Sequence, residues 1–216
     1  MLTESLKKAF GIDNLKRAWL WTRTNPDAQY KSYFRHIYKA YSLTTDKEIE
    51  DLHKRLKNAT YKALHATKIY LPKKSGILRP YTLLSIEDQI VYQALANIVA
   101  DKLYPRVKRG YYSLVFGHIY AGKRSLFFYQ KWQKGYKAYA KALEDAYDAG
   151  YKYAASFDLT ACYDSIDHSV LSHFLSDIGL EKEFIDYFCV KLKHWSASSD
   201  EKPIYQGHGI PQDISN

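Results

Sequence analysis

The run Ser156-Phe157-Asp158-Leu159-Thr160-Ala161-Cys162-Tyr163-Asp164-Ser165-Ile166-Asp167 constrains this chain more than any other stretch. Tyr151 to Leu159 reads as a buried strand. From Asp167 a helix carries Val170, Leu171, Phe174, Leu175 and Ile178 on its apolar side, and Gly179 stops it. A strand that gives way to a turn and then a helix leaves Asp158 at the strand end. Three aspartates and a tyrosine in so short a run are poor core material, because buried carboxylates are costly. They suit a polar site beside a sheet.

The flanking sequence is mostly helical. Leu15, Ala18 and Trp19 share a face, Pro26 marks a new start, and Tyr30, Tyr33, Phe34, Ile37, Tyr38 and Tyr41 recur at helical spacing. Thr45 followed by Glu48 reads as a capping box ahead of Ile49, Leu52 and Leu56. The cations there, Lys47, Lys54, Arg55 and Lys57, form a solvated face or, in the alternative, meet phosphate. At Lys68 the pattern changes. Ile69-Tyr70-Leu71, then Pro72-Lys73-Lys74-Ser75-Gly76, then Leu78-Arg79-Pro80-Tyr81-Thr82-Leu83 read as a β-hairpin. Lys73 and Lys74 at its tip, with Arg79 on the return strand, would clamp a phosphate or simply keep the turn soluble.

Ser85 and Asp88 open a long helix with Ile90, Val91, Leu95, Ile98 and Leu103 on its apolar side, ended by Tyr104-Pro105. Residues 106–120 read as a loop, and Gly122 to Ala149 as a long helix with Phe127, Trp132, Tyr136, Tyr139, Leu143 and Tyr147 among lysines, closed by Gly150. Such a helix either packs its aromatic stripe or tracks a nucleic-acid backbone. A second helix, with Phe184, Ile185, Phe188 and Leu192, follows Gly179, and the glycine-punctuated stretch Ile204 to Gln212 comes after it.

With 216 residues and 46% apolar content the chain is long enough for a substantial core. A formal net charge of +9 suggests a polyanionic partner. Tyrosine is abundant, at 21 residues; most fill half-buried helix faces, and some are free to stack on bases or reach phosphates. Cys162 and Cys189 have no metal-ligand spacing and suggest no disulfide framework, which fits a reducing compartment. The N-terminus lacks a signal-peptide core, and no window approaches the roughly 20 apolar residues of a membrane span. The expectation is a cytoplasmic protein with no membrane partner.

A strand-end carboxylate beside other acidic groups suits a hard divalent cation, Mg²⁺ or Mn²⁺. Paired ions of this kind activate a hydroxyl nucleophile and stabilise the leaving oxygen in phosphoryl transfer. Asp158 is the candidate ligand, with the backbone carbonyl of Leu159 beside it. Asp164 and Asp167, at the helix entrance, read rather as capping and turn support.

These residues carry a resemblance. Phe157-Asp158 through Tyr163-Asp164-Ser165-Ile166-Asp167-His168 resembles motif A of reverse transcriptases, nearest to retron, group II intron and bacterial antiphage-defence types. Lys73-Lys74, Gly76, Arg79-Pro80 and the run Ser85 to Leu95 resemble the fingers motifs, and Gly209-Ile210-Pro211-Gln212 resembles the start of motif B. The three stand in the family's order and cover roughly residues 14–216. The resemblance implies an α+β, mainly helical right-hand polymerase architecture: an N-terminal helical region (1–60), fingers with a β-hairpin (61–150), and a partial palm with its strands (151–216). It implies RNA-directed DNA synthesis from dNTPs on an RNA template, primed by DNA or protein. Asp158 becomes the first catalytic aspartate and a metal ligand, with Leu159 lending its carbonyl. Tyr163 becomes the gate against a 2′-hydroxyl, Lys73, Lys74 and Arg79 hold the triphosphate, and Gln212 lines the nucleotide pocket.

Two departures stand out. Motif B of the family continues with glycines and a serine, where this sequence has Asp213-Ile214-Ser215-Asn216. The family's second catalytic carboxylates, a tyrosine-x-Asp-Asp hairpin beyond motif B, have no counterpart here, nor does a thumb. The expectation is a piece of a longer polymerase, or one completed by another chain or a second copy. Two competing readings are a non-catalytic nucleic-acid-binding scaffold derived from such an enzyme, and an RNA-templated RNA polymerase. The bulky Tyr163 argues against the last.

Overall fold

In the computed structural model, which describes residues 2–24, 34–72, 75–196 and 207–211, the chain is a mainly helical α+β protein. Among the described residues there are nine helices and one two-stranded sheet. In order they are α1 (Glu4–Phe10), α2 (Ile12–Thr24), α3 (Arg35–Leu43), α4 (Thr45–Lys57), β1 (Thr67–Pro72), β2 (Leu78–Leu83), α5 (Ile86–Val107), α6 (Trp132–Asp148), α7 (Cys162–Ser165), α8 (His168–Asp177) and α9 (Lys182–Trp195). A 3₁₀ turn, Lys108–Gly110, extends α5.

The core gathers on α5. Its Ile90, Val91 and Leu95 are fully buried against Leu15 and Trp19 of α2, Ile49 and Leu52 of α4, and Phe184 and Leu192 of α9. Each such aliphatic side chain stabilises the fold by about 2 kcal/mol through water removed from its surface. The interface of α5 with α2 is not wholly apolar. Asn14 Nδ2 donates to the carbonyls of Ala9 (2.9 Å) and Ala94 (3.0 Å), Asn97 Nδ2 donates to Asn14 Oδ1 (2.8 Å), and Gln93 Nε2 donates to Asn97 Oδ1 (2.9 Å). Buried amides that are paired in this way fix which turn of α2 meets which turn of α5, since any slip would orphan them.

Several local expectations hold. Ser85 is the N-cap of α5 and accepts from Asp88 N, the hairpin pairs Thr67 with Leu83 through to Pro72 with Leu78, and Gly150 and Gly179 follow their helices with positive φ. Four others are corrected. Thr45 is the first residue of α4 and not its cap; its hydroxyl donates back to the Tyr41 carbonyl at 3.1 Å, so no capping box forms. The helix of Tyr104-Pro105 runs on to Val107, because a proline in the last turn forfeits only one bond. The helix expected from Gly122 starts only at Trp132. Before it, Ala121 N donates to Phe128 O (2.9 Å) and Gln130 N to Ile119 O (2.8 Å), a narrow loop that competes with helix for the same backbone groups.

The fourth correction is the palm strand. Residues 151–159 form neither strand nor helix, and they are exposed throughout, Tyr153 at 98% and Phe157 at 92%. A strand is a property of a pair, and among the described residues no backbone runs beside this one. Pro26, Tyr30 and Tyr33 lie outside the described residues.

Candidate functional site

Ala161, at φ 50°, makes the sharp reversal after Thr160 that starts α7. The short helix carries Tyr163 and Asp164, and the chain then turns at Ile166 into α8. Asp167 is the N-cap of α8: its carboxylate accepts from Ser169 N (2.7 Å) and Val170 N (3.2 Å) and from the Ser169 hydroxyl. The Ser169 hydroxyl and these two backbone N–H groups hold the Asp167 carboxyl below its usual range. Asp167 thus has the capping role its position suggests.

Residues 207–211 lie directly on this turn. His168 N donates to Gly207 O (3.0 Å), Gly209 N to Ile166 O (2.7 Å) and Ile210 N to Tyr163 O (2.9 Å). The buried His168 donates from Nε2 to Gly209 O at 2.7 Å, and His208 Nδ1 donates to Asp164 O at 2.8 Å. Gly209, at φ 90°, has a backbone conformation that a side chain would strain, so the glycine is required for this crossing. A third element joins from the hairpin, where Lys68 of β1 pairs with Asp164 at 3.0 Å. The pair is partly solvated and contributes under about 1 kcal/mol to stability. Its geometric effect is to tie the hairpin base to α7.

Behind the turn lies a cavity of about 330 Å³, lined by Tyr92, Tyr129, Ile166, Leu171, Phe188 and Ile210 among others. Burial pushes the Tyr129 phenol up to about 12, with Tyr163 adding to the effect; burial likewise raises Tyr92, with Tyr129 and Tyr163 adding. The Tyr92 and Tyr129 phenols are therefore neutral, and both lie close to Tyr163. Tyr92 and Tyr129 were not singled out from the sequence. Tyr92 sat within the run Ser85 to Leu95 with no mark of its own, and Tyr129 fell in a segment read as helix.

Asp158 and Leu159 stand apart. Both are exposed, on the segment before the turn, and among the described residues neither makes a hydrogen bond or ion pair with the hairpin or residues 207–211. Asp164 is engaged by Lys68 and Asp167 by α8, so Asp158 is the aspartate of the three left without a partner among the described residues. Those residues hold no group of three His, Cys, Asp or Glu side chains able to bind a metal ion. One free carboxylate and one carbonyl are an incomplete oxygen set for Mg²⁺ or Mn²⁺, and they do not fit a two-ion centre on their own. Lys73, Lys74 and Gln212 lie outside the described residues. Arg79 stands on β2 opposite Leu71, and its side chain lies outside the description too.

No protein-family model matches the chain, and no curated protein matches it. No helix among the described residues is long and apolar enough to cross a membrane.

Proposed function

We propose that the chain carries the fingers and the first part of the palm of an RNA-directed DNA polymerase of the bacterial antiphage-defence type. The observation that supports this most is a convergence. Three stretches far apart in sequence, each resembling a different polymerase motif, meet at one turn: Tyr163 to Ile166, Gly207 to Pro211, and the hairpin through Lys68.

On this reading Lys73, Lys74 and Arg79 hold the triphosphate of an incoming dNTP, Arg79 by its bidentate fork. Tyr163 lies under the sugar and excludes a 2′-hydroxyl, and Gln212 lines the same pocket. Asp158 supplies the first carboxylate. The Mg²⁺ or Mn²⁺ that the resemblance implies needs oxygen donors beyond Asp158 and Leu159, from another part of a longer chain or from another chain. RNA is the template, and DNA or protein the primer.

The test is primer extension on an RNA template with dNTPs and Mg²⁺, run beside Asp158→Ala. Extension that disappears in a folded Asp158→Ala protein is the expected result. Extension unaffected by that change, or none in a longer natural form either, would overturn the reading. One observation favours the second reading, a non-catalytic nucleic-acid scaffold: among the described residues Asp158 belongs to no group of three His, Cys, Asp or Glu side chains able to hold a metal ion. Under that reading Asp158→Ala leaves biological function intact. A protein-primed member would leave DNA covalently attached to protein after phenol extraction.

A further inference from the structure

The charge of this chain is not spread evenly. Ten of its 32 Lys and Arg residues, and none of its 23 Asp and Glu, lie between Lys102 and Leu143, which more than accounts for the net charge of +9. Some of these cations are used internally. Lys123 pairs with Asp101, Lys141 with Asp145, and Arg106 donates to the Asp177 carbonyl. Arg109, Arg124, Lys131, Lys134 and Lys137 are exposed and make no ion pair among the described residues.

Two of the free lysines, Lys131 and Lys134, edge a groove of about 1160 Å³ between the 116–130 loop and the start of α6. Its walls are aromatic. Trp21 forms the floor, fixed by its Nε1 donating to Ser125 O (3.2 Å), by Arg17 over its ring (5.1 Å) and by Phe128 at 5.1 Å between ring centroids. Phe127 and Trp132 stand in the groove with 49% and 67% of their surface open to water. Gln130 and Gln133 add amide donors and acceptors. No residue of 151–168 or 207–211 lines it, but His118, Phe128 and Tyr129 line both this groove and the cavity behind the turn that carries Asp164 and Asp167.

We propose that this groove is a binding site for single-stranded nucleic acid. Open aromatic rings give every base a face to stack on, unpaired lysines neutralise the backbone, and the amides reach base edges. A duplex hides its base faces and would leave Phe127 and Trp132 without a role. An acidic peptide would use the lysines and leave the rings wet. The site does not depend on catalysis at Asp158.

The test is fluorescence anisotropy with a short labelled oligouridylate and its oligothymidylate counterpart, competed by duplex RNA and by polyglutamate. Trp132→Ala and Phe127→Ala are expected to weaken single-strand binding about tenfold each, with circular dichroism unchanged. Lys131→Gln with Lys134→Gln is expected to lower the slope of log K against log salt by about 0.7 per lysine, while Lys47→Gln on α4 does nothing. The ratio of the RNA and DNA affinities identifies which strand the groove takes. Absent binding, binding indifferent to these four residues, or equal competition by duplex or polyglutamate overturns the proposal. Asp158→Ala is expected to bind unchanged. Intact binding by a parent protein whose primer extension is absent, or is unaffected by Asp158→Ala, tells against the catalytic reading alone. Intact extension with lost binding tells against this site alone.

Discussion

Asp88 is almost fully buried, yet every donor around it is used. Its carboxylate accepts from the Tyr61 hydroxyl, from Leu64 N (3.2 Å) and from Ser85 Oγ (2.6 Å). It therefore ties the start of α5 to the segment that leads into β1. Burial and the Asp88 charge both raise the Tyr61 phenol, which keeps it a donor. Asp88→Ala leaves the buried Tyr61 hydroxyl and the Leu64 N–H without their acceptor and is expected to cost about 3 kcal/mol in urea unfolding; Tyr61→Phe is expected to cost about 1.5 kcal/mol. The double variant should cost less than the two together, because both remove the same bond; strict additivity would show that the bond is not made. Nearby, His194 has its pKa lowered, first by burial and then by His65 and Lys191. A histidine more easily protonated when unfolded gives stability that is present above the unfolded value of about 6.5 and lost as pH falls toward the folded one. The urea midpoint should drop on acidification from about pH 7 to about pH 5, and His194→Gln should flatten that part of the slope.

Elements that rest on neighbouring residues were legible in the sequence; those that rest on distant ones were not. The Ser85 cap, the hairpin and the Gly179 stop each need only a few consecutive side chains. The Asn14–Asn97–Gln93 ladder needs two helices already in contact, and nothing in the local pattern marks those amides as buried. Likewise Asp158 and Tyr163 were readable as motif residues, but the Lys68–Asp164 pair and the seating of Gly209 on Ile166 were not. The start of α6 was misplaced because apolar spacing alone does not reveal a competing loop. Gly135 shows how closely that loop sits. A Cβ there would lie 1.7 Å from the Phe116 carbonyl oxygen, while Phe116 also packs edge-on against Tyr139 at 5.6 Å. Gly135→Ala should raise intrinsic helix propensity and still destabilise by about 3 kcal/mol, because α6 must move off the loop. Faster proteolysis within 111–131 than in the parent would confirm the displacement; an unchanged pattern with a higher melting temperature would refute it.

At the scale of the molecule, the fold divides into a part that is packed and a part that is open. Helices α1, α2, α4, α5 and α9 share one core. Helix α6 turns Trp132, Tyr136, Tyr139, Leu143 and Tyr147 to solvent, and after it residues 151–159 expose Tyr151, Tyr153, Phe157 and Leu159 at alternate positions. That alternation is the pattern of a half-buried strand, with Lys152, Ser156 and Asp158 on the other face. None of the backbone N–H groups of 152–159 has a partner among the described residues. The segment thus has the composition of a strand without the pairing, and pairing is what another strand would supply. For the chain alone, amides 152–159 should exchange with deuterium as fast as an unfolded peptide, while those of α5 should exchange slowest, through global opening. If a longer chain, a second copy or another protein completes the sheet, the same amides should become protected by orders of magnitude, with little change in α5. Protection that appears only as protein concentration rises would identify a second copy as the partner. Protection already present in the isolated monomer would mean that 151–159 is paired within this chain and offers no open edge.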